Sequence, residues 1–108
     1  MARTRQSGVK RDTRQGCYLI IAGPVLYVGS TAGGRGRGFA ARLDEHLKAL
    51  VQGRHPNNAL ARQFKVDGGK GWRMVKLAQV RRGDIAQARA IEGVMIQALG
   101  KAVCNERR

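Results

Sequence analysis

The segment 85–99 carries one residue that its pattern does not explain. Ile85, Ala88, Met95, Ile96 and Leu99 fall on one helical face at about 100° per residue, and Glu92 falls in the middle of that face. A carboxylate aimed at a core needs a cation, a metal or a proton, because burying it unpaired is costly. Two readings therefore stand, a structural ion pair and a metal ligand. Arg42 and His46 lie at i and i+4 on one flank of another predicted helix, beside its apolar stripe. A guanidinium can donate two hydrogen bonds to an oxyanion and an imidazole can accept a proton. The same pair is also what a basic helix displays on its solvated face. Tyr18 and Tyr27 sit in β-rich runs, where a phenol is either packing or, with its proton removed, a general base.

These residues need elements to hold them. Tyr18-Leu19-Ile20-Ile21 and Val25-Leu26-Tyr27-Val28, separated by Ala22-Gly23-Pro24, predict two strands of an antiparallel hairpin. The stripe Phe39, Leu43, Leu47, Leu50 predicts a helix ended by Gly53. A second helix is expected from Pro56 to Gly68-Gly69, and a third strand over Trp72–Val80. Asp84 with Gln87 forms a capping-box pair that opens a last helix, stopped by Gly100. The order is β-β-α-α-β-α, an α+β fold with a small three-stranded antiparallel sheet flanked by helices. Residues 1–15 hold five basic side chains, one acid and little to bury. They predict a flexible basic arm, with the folded domain spanning residues 16–108.

Twenty-one Lys and Arg against seven Asp and Glu give a net charge of +14 in 108 residues, which points to a polyanionic partner. At 43% apolar residues the chain still has enough to build one core. Cys17 and Cys104 are too few for a disulfide framework, and with His46 and His55 they match no zinc spacing. Free thiols in a reducing cytoplasm are the expectation. No signal peptide is expected, and no segment reaches the length of a membrane span. The loop 30–38 is rich in glycine but has neither dinucleotide-binding nor P-loop spacing, so no nucleotide cofactor is expected. Its Arg35 and Arg37 could follow a phosphate backbone, or simply be solvated.

Gly16-Cys17-Tyr18, followed by Tyr27-Val28-Gly29 with Gly29-Ser30-Thr31 beyond it, resembles the paired motif of the GIY-YIG endonuclease superfamily. Arg42, His46, Glu92 and Asn105 follow in the order of that family's helix arginine, histidine, metal-binding glutamate and late asparagine. The resemblance spans residues 16–105, and His55-Pro56-Asn57-Asn58 is similar to a segment of the intron-homing and phage-type branch. Cys17 and Val28 replace the motif isoleucines. Ser30 stands where the excision-repair branch has lysine. Homing members usually carry a separate DNA-reading domain, so selectivity here is expected from the core, the arm, dimerisation or a partner, or else to be low.

The resemblance implies hydrolysis of DNA phosphodiesters to 5′-phosphate and 3′-hydroxyl ends with one divalent ion, Mg²⁺ or Mn²⁺, held by Glu92. It implies Arg42 on the phosphoryl oxygens and Tyr18 as general base, with His46 accepting its proton and Arg42 and the metal favouring the phenolate. Tyr27 would orient water or phosphate. Gly29, Arg35, Arg37, His55 and Asn105 are the candidates for contact with DNA. The protein would act as a monomer or as a transient dimer on DNA. Two rivals remain: a non-catalytic nucleic-acid-binding protein, and a structure-specific repair nuclease or subunit.

Overall fold

A computed structural model of the protein describes residues 13–32 and 38–103. Arg35, Arg37, Cys104 and Asn105 lie outside the described residues, as does all but the end of the predicted arm. The elements are β1 (Gln15–Ala22), β2 (Val25–Thr31), α1 (Phe39–Val51), α2 (Asn58–Asp67), β3 (Arg73–Val80), α3 (Ile85–Leu99) and a 3₁₀ turn over Gly100–Ala102. They follow the predicted order. β1 is the central strand, antiparallel to β2 on one side and to β3 on the other. Gly23-Pro24 closes the hairpin, and Gly23 has the positive φ (60°) that the first position of a tight hairpin turn demands.

Alternation along β1 divides the core between the two faces of the sheet. Tyr18, Ile20 and Ala22 pack with Phe39 and Leu50 of α1 and Leu60 of α2, whereas Cys17 packs with Val28 and with Ile96 of α3. Two helices thus cover one face and a third covers the other. Cys17 is a free, buried thiol whose pKa is pushed up to about 11, chiefly by burial and then by Glu92, so it keeps its proton at neutral pH. No helix among the described residues is long and apolar enough to cross a membrane.

Three boundaries differ from those expected. α2 starts at Asn58, not Pro56, because Asn57 is the N-cap and its side chain accepts a 3.0 Å bond from the Leu60 N–H. β3 starts at Arg73, because the Trp72 indole turns aside to donate to the Asp67 carboxylate and stack edge-on against Phe64. β1 begins at Gln15, a residue expected in the arm. Gln15 is 1% exposed and its Oε1 accepts from the Gly83 N–H at 2.7 Å. Arg14 O accepts from Phe39 N at the start of α1, and Thr13 O from Arg82.

Candidate active site

Both motif glycines are explained by close approach. Gly16 has φ +155°, and a Cβ there would run into the Ala78 carbonyl of β3. At Gly29 on edge strand β2, a Cβ would collide with the hydroxyl end of Tyr18, its cross-strand partner. The missing side chain is the space into which the phenol reaches. Gly29, a candidate for DNA contact, has this packing role. Opposite Tyr18 the β1–β3 register slips by one residue, pairing Cys17 with Ala78 but Tyr18 with Lys76. A bulge of this kind re-aims the side chains beside it.

Tyr18 is fully buried, and its hydroxyl lies 2.6 Å from His46 Nε2. His46, expected at the edge of the core or on a solvated face, is an interior residue at 4% exposure. Its ring meets those of Tyr18 and Tyr27 edge-on at 5.7 and 5.5 Å and stacks on His55 at 5.0 Å. His46 Nδ1 lies 2.8 Å from His55 Nε2, and His55 Nδ1 accepts a 3.0 Å bond from the Asn57 backbone N–H. His55 was predicted to touch DNA. The structure puts it behind His46 at 8% exposure.

Arg42 lies at the mouth of this chain, its side chain 38% exposed and paired with Glu45 at 2.7 Å. It also acts on the Tyr18 oxygen through its charge and a hydrogen bond, both of which favour the phenolate. Burial acts the other way and dominates, holding the Tyr18 proton on well above the ordinary tyrosine range, with Tyr27 and Glu92 adding to it. Arg42 thus acts in the expected direction, against the larger effect of burial. Burial also lowers His46 to about 3, helped by Arg42 and His55, and lowers His55. Both imidazoles are neutral at neutral pH.

Glu92 comes from α3, in the opposite layer. It is half-buried on the face of α3 that carries the buried Ala88 and Ile96, while Ile85, assigned to that face, is 47% exposed. The partner of Glu92 among the described residues is a hydroxyl and not a cation, since Ser30 Oγ donates to its Oε1 at 2.6 Å. Its charge is felt at both Cys17 and Tyr18. The two layers therefore meet around the β2 edge at Gly29-Ser30, with Tyr18, His46 and Arg42 on one side and Glu92 on the other. Sequence reasoning missed Ser30 as the carboxylate's partner, and it missed the backbone amide of Asn57. An x-Pro-Asn segment after a histidine carries no signal that its N–H will bond that ring. Among the described residues no cluster of three or more His, Cys, Asp or Glu could hold a metal.

No protein-family model and no curated protein matches the sequence. Among solved structures, the catalytic domain of homing endonuclease I-TevI superposes with a TM-score of 0.66 at 24% identity, covering 80% of this chain and 88% of that one. A mutant of the same intron endonuclease domain gives 0.68 at 24% identity, over 80% and 84% of the two chains. The chain has the GIY-YIG fold. The GIY-YIG arrangement explains why the motif glycines and Tyr18 share the β1–β2 pair, since the strands named by the motif are the ones that pack phenol against glycine.

Proposed function

We propose that the protein is an endonuclease that hydrolyses DNA phosphodiesters with the aid of one divalent ion, leaving 5′-phosphate and 3′-hydroxyl ends. The observation that carries this reading is the buried 2.6 Å contact between the Tyr18 hydroxyl and His46, opening toward Arg42. A protein that only coats nucleic acid has no use for a phenol and two imidazoles held inside its core, where each polar atom must be desolvated. The likeness to a homing endonuclease domain favours a phage or mobile-element setting.

Glu92 suits a hard cation. One of its oxygens is held by Ser30, and among the described residues no cation lies within ion-pair reach of it. Mg²⁺ and Mn²⁺ take oxygen ligands and keep several waters, so one carboxylate with a substrate phosphate is a sufficient anchor. When bound, such an ion supplies Lewis-acid polarisation of the phosphoryl group. Tyr18, as phenolate, takes a proton from the attacking water while the new P–O bond forms and the bond to the 3′ oxygen breaks. The 3′ oxygen then takes its proton from solvent. Arg42, with donors beyond the one given to Glu45, stabilises charge on the non-bridging oxygens.

Because burial keeps the phenol protonated, cleavage is expected to accelerate from neutral to alkaline pH. Incubation of the purified protein with supercoiled plasmid and Mg²⁺ or Mn²⁺ tests the proposal. Nicked or linear product with ligatable 5′-phosphate ends is the expected result. Binding without cleavage under every divalent ion would leave the non-catalytic reading.

A further inference from the structure

The chain of nitrogens running inward from Tyr18 has a direction, and a backbone amide sets it. The Asn57 N–H can only donate, so His55 Nδ1, its acceptor at 3.0 Å, carries no hydrogen. A neutral His55 must then carry its hydrogen on Nε2, which lies 2.8 Å from His46 Nδ1. That bond makes His46 Nδ1 an acceptor and leaves the His46 hydrogen on Nε2, which lies 2.6 Å from the Tyr18 hydroxyl.

We propose that His46 donates to Tyr18 and does not accept from it, and that His55 is the positioning residue that imposes this tautomer. The direction expected from the sequence, in which His46 takes the phenol proton, is reversed. His46 Nε2 is already occupied, and its other nitrogen faces the Nε2–H of His55. Nor can the chain pass a proton onward, because it ends on a peptide N–H. Tyr18 Oη therefore receives the His46 Nε2–H, and its own hydrogen is directed away from that nitrogen. The phenol proton therefore does not leave through His46, and the phenolate that remains is held by the His46 Nε2–H beside the charge of Arg42. The neutrality this requires agrees with the depressed pKa values of both imidazoles. The other groups facing the rings are Tyr27, which meets both edge-on, and Arg42, whose guanidinium has no acceptor to offer.

The tautomer can be read without any activity, whereas its catalytic consequence rests on the nuclease reading above. Long-range ¹H–¹⁵N correlation spectra of the ¹⁵N-histidine-labelled protein at neutral pH distinguish the two nitrogens of each neutral ring. Hydrogen on Nε2 in both His46 and His55 is the expected result, and hydrogen on His46 Nδ1 would overturn the proposal whatever the protein does to DNA. Two variants add a functional readout. In His55→Gln the amide offers an acceptor to Asn57 and a donor to His46 in the same order, so the His46 tautomer and most of the cleavage rate should persist. In His55→Leu the donor is gone, and the rate should fall by about 10–100-fold, the usual cost of losing an outer orienting bond. Equal rates for the two variants would also count against the proposal. If His55→Leu does not fold, the wild-type spectrum alone decides. An inactive wild type with the expected spectrum would sink the nuclease reading and leave the tautomer standing.

Discussion

Burying a neutral imidazole makes folding depend on pH. His46 keeps its ordinary value of 6.5 when the chain is unfolded and falls to about 3 when it is folded, with burial as the main cause. Between these values the unfolded chain binds a proton that the folded chain refuses, so stability rises with pH across that window. The contribution is fully present above pH 6.5 and is lost as pH falls toward about 3; His55, also depressed, adds in the same direction. In urea unfolding the wild-type midpoint should therefore drop more steeply on acidification below pH 6.5 than that of His46→Gln. Parallel curves would mean that His46 is not buried as a neutral ring. At the residue scale the sequence was only half legible. Spacing put Arg42 and His46 on one helix flank, and so they are, but it could not tell that His46 is 4% exposed while the Arg42 side chain is 38% exposed. A four-residue step fixes a face and leaves the depth to neighbours such as Tyr27 and His55, which come from elsewhere in the chain.

Elements whose ends are marked by local chemistry were read well. The hairpin follows from two β-rich runs around Gly23-Pro24, and α3 from Asp84, whose side chain accepts from the Gln87 N–H, and from Gly100. Elements whose ends depend on distant partners were not. Gln15 belongs to β1 because Gly83 needs an acceptor, and Trp72 leaves β3 for Asp67. The β1–β2 pair also carries a firm prediction, because Gly29 leaves room for the Tyr18 hydroxyl and alanine would not. Gly29→Ala should cost about 1–3 kcal/mol by overpacking, measured by denaturant unfolding. It should also break the Tyr18–His46 contact, seen as a change in the His46 ring spectrum. An alanine variant as stable as wild type, with that spectrum unchanged, would mean that β2 gives way and that the glycine is there for another reason.

At the scale of the molecule, the +14 charge and the compact site divide the work. On the proposed function, charge gathers the polyanion and the β2 edge supplies the chemistry. Deletion of residues 2–12 removes Arg3, Arg5, Lys10 and Arg11 but stops short of Thr13 and Arg14, whose carbonyls are tied to Arg82 and α1. Every phosphate that the shortened chain no longer neutralises flattens the slope of log affinity against log salt by about 0.9 on duplex DNA. The deletion should therefore lower that slope by about 2–4 units while sparing the cleavage rate at saturating protein. An unchanged slope would make those charges idle.

The claim that joins residue, element and molecule is that Glu92 serves chemistry and not cohesion. It is tested by measuring, on the same preparations of wild type and Glu92→Gln, the single-turnover rate of plasmid cleavage in Mg²⁺ and the affinity for the same DNA. The amide keeps the shape and can still accept from Ser30, but it is a far poorer ligand for a hard cation. Cleavage should be abolished in the variant while its affinity stays equal to or slightly above that of wild type. A variant that cuts at the wild-type rate would contradict the account.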